Sequence, residues 1–143
     1  MASFNKFNSF VSDLATKIHN LNSDTIKIML TNSAPTAGNT IKSNLTEIAA
    51  GNGYTAGGAV ASFVSGNDTS GTYRLILSPV SWTASGGSIG PFEFAVLYNS
   101  STANGNLIGF WDYGTAVTLT NGNTLRTASS NGCTSVSWEP MCI

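Results

Sequence analysis

Residues 92–98 read Phe92-Glu93-Phe94-Ala95-Val96-Leu97-Tyr98, and this stretch decides the fold class of the chain. It begins as an alternation of apolar and charged side chains and ends as a continuous apolar run. Successive side chains of a strand point to opposite faces of its sheet, so a continuous apolar run indicates a strand that is covered on both faces. The stretch therefore predicts a central strand, around which the other elements are arranged.

Short strand-like segments separated by turn residues flank this stretch on both sides, at a spacing typical of an antiparallel β-sandwich. Alternation of apolar and polar side chains is clearest at Tyr73, Leu75 and Leu77. The dipeptide Asn121-Gly122 predicts a hairpin between the two strands beside it. The predicted strands are 25–31, 59–65, 72–78, 80–85, 92–99, 106–113, 115–120, 123–128 and 134–138.

One helix is predicted, close to the first residue of the chain. Apolar residues recur there at spacings of three and four, which places them on one helical face. We expect Ser3 or Asn5 to cap the first turn and the helix to end near His19-Asn20. We expect the apolar face to be buried against the sandwich or a partner subunit; its residues are Phe7, Phe10, Val11, Leu14 and Ile18.

Together these patterns predict an all-β fold, a two-sheet antiparallel sandwich of the jelly-roll type with one N-terminal α-helix. A jelly roll is preferred to an immunoglobulin pattern because the chain lacks a Cys…Trp…Cys framework. Residues 32–58 are predicted to be mainly loop, with one short helical turn. The predicted organisation is a helix and arm at 1–22, the sandwich at 23–128, and a C-terminal strand or contact arm at 129–143.

The composition indicates a protein that lies against other proteins. Of 143 residues, 66 are Ser, Thr, Asn or Gly, and only 13 are charged, while 41% are hydrophobic. Exposed charges normally keep soluble domains apart. A surface of small neutral side chains instead suits an assembly or a contact rim. Assembly is therefore the first functional hypothesis.

Several other partners are not expected from the same composition. The net charge is −1, and the six basic residues are dispersed, so they do not form the stripe that nucleic-acid binding requires. No apolar run is long enough to cross or anchor in a membrane, and the first residues do not resemble a secretion signal. Cys133 and Cys142 lack a neighbouring third ligand, so we expect free thiols and neither a metal nor a cofactor.

Two acidic residues are candidates for an enzymatic function. Glu93 and Asp112 lie on two predicted strands, and carboxylates facing each other could act as glycosidases do. Aromatic residues flank Asp112, but aromatic-rich strands are more often core or interface than sugar platform. The single histidine, His19, is interpreted as a capping or packing residue at the helix end. The prediction is that the chain is not an enzyme.

A resemblance to a known family rests on several segments taken in order. The longest are residues 24–32, which read Asp-Thr-Ile-Lys-Ile-Met-Leu-Thr-Asn, and residues 107–114, which read Leu-Ile-Gly-Phe-Trp-Asp-Tyr-Gly. The others are residues 4–7, 19–21, 46–54, 70–73 and 83–87. In this order and spacing, roughly residues 4–125 resemble a family of small tailed-bacteriophage proteins that includes head cement, or decoration, proteins.

The resemblance implies a jelly-roll domain on the outer face of a phage head, assembled in the host cytoplasm. Its implied partners are the major capsid protein and further copies of itself, as dimers or trimers. The resemblance supplies no catalytic residue. The alternative is a tail or fibre component that binds host glycan through Trp82, Trp111 and Tyr113.

The C-terminal part departs from the family pattern, because residues 126–133 are polar where an apolar strand is expected. The tail beyond them contains large apolar side chains with little nearby to bury them, which suits a contact arm. The candidate protein-interface residues are Phe4, Phe7, Trp138, Met141 and Ile143.

Overall fold

The computed structural model describes residues 3–127, which form antiparallel sheets and one short helix, as the sequence predicts. Helix α1 is Asn8–Ala15. The predicted strand 134–138 and the predicted arm 129–143 lie outside the described residues. The strands are β1 Ser3–Lys6, β2 Ile26–Thr31, β3 Ala59–Val60, β4 Phe63–Thr69, β5 Thr72–Leu77, β6 Ser81–Thr83, β7 Ile89–Asn99, β8 Asn106–Leu119 and β9 Thr124–Arg126.

A five-stranded sheet in the order β1-β8-β7-β2-β3 forms the centre of the fold. All of its neighbouring strands are antiparallel. Across the sheet, Met29 lies opposite Val96, which lies opposite Phe110. Strand β7 contains the stretch 92–98 and has neighbours on both sides, so the prediction of a central strand is confirmed.

Strand β8 joins two predicted strands, 106–113 and 115–120, into one strand that continues through Gly114. Gly114 has φ 85°, a conformation that glycine adopts without steric cost. Its N–H donates to Asp112 Oδ1 at 2.7 Å. Between these residues and β7 the register shifts, because Phe94 pairs with Asp112 while Phe92 pairs with Val117. The glycine thus produces a bulge within one long strand, and the strand does not end there.

Two smaller pairs of strands lie outside this sheet in residues 3–127. Strands β4 and β5 form a hairpin in which Ser70 and Gly71 occupy the turn with φ values of 52° and 81°. Two positive φ values in a two-residue turn match the right-handed twist of the flanking strands. Strands β6 and β9 pair antiparallel over three residues.

The predicted hairpin at Asn121-Gly122 is wrong in its pairing. The turn exists, since the Asn123 N–H donates to Thr120 O at 3.0 Å. The chain that follows pairs with β6, because the Gly122 N–H and the Asn123 carbonyl both bond to Ala84. Strand β9 is therefore paired away from β8.

Helix α1 is shorter than predicted at both ends. Ser3 and Asn5 lie in β1, which pairs with β8, and Phe7 precedes the helix without a side-chain cap. At the other end, the Ile18 N–H donates to Asp13 O at 2.8 Å and Lys17 adopts φ 64°. This is the Schellman arrangement, which closes a helix with one left-handed residue.

The apolar core lies on both faces of the five-stranded sheet. The larger cluster includes Phe10, Leu30 and Leu97, and the two small strand pairs contribute Leu75 and Trp82 to it. The cluster on the other face consists of Phe7, Met29, Val96, Tyr98 and Leu107, with Leu45 and Phe110 packed against it. Residues 32–58 are mainly loop, as predicted, but the helical turn predicted at Leu45 and Ile48 is instead a 3-10 turn at Lys42–Asn44.

Candidate interaction surface

The structure describes two of the five residues that were predicted to contact a partner. Phe7 has no exposed surface and belongs to the core, so it offers a partner nothing to contact in this conformation. Phe4 is partly buried, with its ring centroid 5.1 Å from that of Trp111. Trp138, Met141 and Ile143 lie outside residues 3–127, and their contact role stays a prediction.

The two carboxylates considered for glycoside hydrolysis are on neighbouring strands but are not opposed. The register pairs Asp112 with Phe94, and Glu93 comes one residue earlier. The register shift between Phe92 and Phe94 interrupts the regular alternation at Glu93, so Glu93 and Asp112 are not directly paired. A glycosidase needs both carboxyl groups to flank one bond, and this register does not place them directly opposite each other.

The aromatic residues considered for glycan binding are mostly core residues. Trp82 and Trp111 are 4% and 5% exposed, and both pack in the larger apolar cluster. Tyr113 is 38% exposed. A sugar platform needs an open ring face, which the two tryptophans lack in this structure.

Two pairs of exposed aliphatic side chains remain at the surface of the described residues. Val11 and Ile18 lie at the helix, where the predicted apolar face is only partly covered: Val11 is 59% and Ile18 is 41% exposed. Val60 and Val64 lie on β3 and β4, and β3 is an edge strand of the main sheet. Edge strands and adjacent apolar side chains are the features by which one chain pairs with another.

The helix pair was expected to be buried, and the Schellman turn explains why Ile18 is not. The helical period that would align Ile18 with Phe7 and Phe10 ends at Ala15. Val60 and Val64 were identified only as part of one predicted strand, 59–65. The break between β3 and β4, which leaves each on a different sheet, has no clear signal in the sequence.

The long loop 32–58 is fixed to the sheet by a carboxylate. Glu47 Oε1 accepts a hydrogen bond from the Tyr54 hydroxyl at 2.7 Å and one from the Gly57 N–H at 2.6 Å. Glu47 Oε2 lies 3.1 Å from Lys42 Nζ. Tyr98 Oη donates to the Gly57 carbonyl at 2.7 Å, which ties this group to strand β7. We call Lys42, Glu47, Tyr54, Gly57 and Tyr98 the Glu47 network.

Both tyrosines of the Glu47 network keep their hydroxyl protons. Burial is the main cause that raises the pKa of Tyr54, against a smaller opposing effect of its hydrogen bond from the Leu30 N–H. Burial likewise raises the pKa of Tyr98, although Lys42 acts in the opposite direction. Protonated hydroxyls donate to Glu47 and Gly57 across the neutral pH range, so the loop forms a pre-ordered surface.

The surface of residues 3–127 has few exposed charges: Lys6, Lys17, Asp68, Arg74 and Arg126. Within these residues no group of three or more His, Cys, Asp or Glu side chains is placed to hold a metal ion. In the same part of the chain, no helix has both the length and the apolar character needed to cross a bilayer.

Comparisons with known proteins found no match for this chain. No protein-family model matches the chain, and neither a curated protein nor a solved structure is significantly similar to it. Functional inference therefore depends on the residues and their geometry.

Glu47→Ala is expected to lower the free energy of unfolding by about 2–3 kcal/mol, since it leaves Lys42, Tyr54 and the Gly57 N–H without their common acceptor. Urea denaturation measures the change. Asp68→Ala is the matched control, because it removes the same charge from an exposed site on β4 and should stay within about 0.5 kcal/mol of the parent. Equal losses in the two variants would contradict the anchoring role of Glu47.

Proposed function

We propose that this chain is a structural protein of a tailed-phage particle, a cement protein that binds the outer face of the head. It bridges neighbouring major capsid subunits and does not catalyse a reaction. In this proposal the strands are arranged as a two-sheet jelly-roll sandwich, with the main sheet as one layer and the β4–β5 and β6–β9 pairs in the other.

The shared core supports the layered arrangement. Leu75 of β5, Trp82 of β6 and Leu125 of β9 all pack in the cluster that contains Leu30 and Leu97 of the main sheet. Two sets of strands that bury side chains in one common core are the basis of a sandwich.

The observation that carries the proposal is the small number of exposed charged side chains. Five charged residues among 3–127 are exposed, Lys6, Lys17, Asp68, Arg74 and Arg126, in a chain rich in Ser, Thr, Asn and Gly. Depletion of charge and small adaptable polar groups favour close contact with another protein. The resemblance of roughly residues 4–125 to a family of small tailed-phage proteins, which includes head cement proteins, supports the same interpretation.

Mass action supplies the mechanism. A subunit that binds only the assembled lattice stabilises it by the binding free energy at each site. Contacts to more than one capsid subunit at once add an avidity that single contacts lack. Such binding requires complementary area, which the ordered loop 32–58 and the exposed aliphatic pairs provide in this proposal.

The deciding experiment is the copy number of this chain in purified particles. A copy number comparable to that of the major capsid protein is the expected result. A few copies in each particle would instead favour the tail or fibre alternative, and absence from particles would reject both.

Heads depleted of this chain are expected to break at a lower temperature than complete heads, because they lack its bridging contacts. Release of packaged DNA during heating measures the difference, and adding back the purified chain should restore heat resistance. A chain truncated after Gly132 tests whether Trp138, Met141 and Ile143 are needed for rebinding. Unchanged heat resistance of depleted heads would contradict the cement role.

A further inference from the structure

A buried polar cluster joins the end of helix α1 to the turn between β7 and β8. We call it the His19 cluster, and it consists of Asp13, His19, Asp24, Asn99 and Asn106. The His19 side chain has no exposed surface, and its ring centroid is 5.4 Å from that of Phe10. Buried polar groups ordinarily have a hydrogen-bond partner, so each atom of this cluster can be accounted for in turn.

The amide of Asn99 has a fixed orientation. Its Oδ1 accepts from the Ser101 N–H at 2.9 Å, and its Nδ2 donates to Asp24 Oδ2 at 2.6 Å. The same Nδ2 lies 3.1 Å from His19 Nδ1. An amide nitrogen carries two hydrogens and no acceptor, so the second hydrogen points to His19 Nδ1.

This orientation assigns the tautomer of His19. A ring nitrogen that accepts a hydrogen bond carries no proton, so the neutral imidazole must hold its proton on Nε2. His19 Nε2 is buried and has no hydrogen-bond partner in the structure. The nearest charge to it is Asp13 Oδ2 at 3.7 Å, which already accepts a hydrogen bond from Asn106 Nδ2 at 3.0 Å.

Protonation of His19 would disturb this arrangement at a single point. The added proton goes to Nδ1, where it meets the N–H of Asn99. Two donors cannot share a hydrogen bond, and Asn99 cannot turn over without losing its bonds to Ser101 and Asp24. The cluster therefore accepts a proton only by opening.

The groups that face the ring act in opposite directions. Burial lowers the pKa of His19 and is the largest effect, while the carboxylates of Asp13 and Asp24 raise it to a smaller extent. Helix α1 contributes Asp13 and Phe10, and the turn before β2 contributes Asp24. Strands β7 and β8 contribute only the neutral amides of Asn99 and Asn106.

We propose that His19 is a pH-sensitive latch, whose protonation at mildly acidic pH breaks the Asn99 hydrogen bonds and releases residues 19–25 from the β7–β8 turn. The released segment loses two hydrogen bonds to the turn, the one from the Thr25 N–H to Ser101 Oγ and the one from Ser100 Oγ to the Thr25 carbonyl. The latch is independent of the cement proposal and applies to the chain by itself.

The pH dependence follows from the lowered pKa. A histidine that is harder to protonate in the folded state stabilises the fold fully above its ordinary pKa of 6.5. That contribution to the free energy of unfolding decreases as the pH falls below 6.5. The decrease stops once the pH is below the pKa of His19 in the folded state. Each unit of lowering changes the folding equilibrium constant about tenfold. His19 is the chain's only histidine, so its titration is unambiguous.

The first test is an NMR titration of the unmodified protein. Imidazole nitrogen shifts at neutral pH should report a proton on Nε2, and the midpoint should lie below 6.5. Through the same midpoint, the protection factors of the Thr25, Ser100 and Ser101 amides, which are the intrinsic exchange rate at each pH divided by the observed rate, should fall ahead of those of the central strands. A proton on Nδ1, or protection factors at these amides that do not change with pH, would overturn the proposal.

The second test compares His19→Asn with the parent protein. Asparagine can present an acceptor to Asn99 near the position of Nδ1, but it does not titrate. The melting temperature of the parent should fall between pH 7 and pH 5. This range lies within the window of roughly pH 5–8 in which an ordinary histidine titrates. The variant should lose much less over the same range. Equal pH dependence in the two proteins would remove His19 as the cause.

Discussion

Phe10→Ala is expected to lower the free energy of unfolding by about 3–5 kcal/mol, since it removes a large ring from a close-packed core. Phe10 has no exposed surface and lies in the larger apolar cluster, in contact distance of the His19 ring. The helix occupies this position because β1 fixes the preceding residues on β8. The packing around Phe10 therefore cannot collapse freely to fill the cavity.

The neighbouring residue provides the control for this variant. Val11 is on the same helix but 59% exposed, and Val11→Ala should change the free energy of unfolding by no more than about 0.5 kcal/mol. Urea denaturation of both variants gives the comparison. A loss at Val11 similar to that at Phe10 would mean that the helix packs with its other face inward.

Much of the β-structure could be predicted from the sequence because its strands are local patterns. Residues 94–98 are all apolar, which occurs when a strand is covered on both faces, and β7 is such a strand. The strand that pairs with β9 could not be predicted, because its pairing with β6 depends on hydrogen bonds between Ala84 and residues 122 and 123, which are far from Ala84 in the sequence. A dipeptide such as Asn121-Gly122 defines a turn but does not fix the strand that pairs after it.

The first residues show a similar limit. The helical spacing of Phe7, Phe10 and Val11 predicts a helix but not the strand before it. The sequence Ser3–Lys6 by itself indicates neither a helix nor a strand, and it forms a strand because it pairs with β8. The same sheet placement explains why Phe7 is buried. A side chain between β1 and α1 is turned toward the sheet, where it lies against Phe110 with ring centroids 5.1 Å apart.

The Glu47 network and the His19 cluster could not be predicted for a different reason. Each depends on contacts between segments far apart in the chain, such as Asp13 with Asn106 and Tyr98 with Gly57. Single polar residues in loops give no periodic signal. These residues contact one another only because the sheet brings their segments together. The Glu47 network and the His19 cluster connect different loops to the same strand, β7.

Gly58→Ala is expected to be among the most damaging single substitutions in residues 3–127. Gly58 has φ 73°, and a Cβ there would collide with the Ile28 carbonyl and lie 2.8 Å from Met29 Cα. These are backbone atoms of β2, which has β3 on one side and β7 on the other and cannot shift. Left-handed strain costs about 1–2 kcal/mol, and the overpacking adds about 1–3 kcal/mol.

Gly38→Ala is the matched control for this loop, because nothing lies within 4 Å of the added methyl group. Alanine at a compatible site also narrows the unfolded ensemble, so this variant should be neutral or more stable by about 0.4–1 kcal/mol. Melting temperature and urea denaturation measure both proteins. If Gly58→Ala is as stable as Gly38→Ala, the loop does not approach β2 at this point, and residues 55–58 are not held there by the Glu47 network.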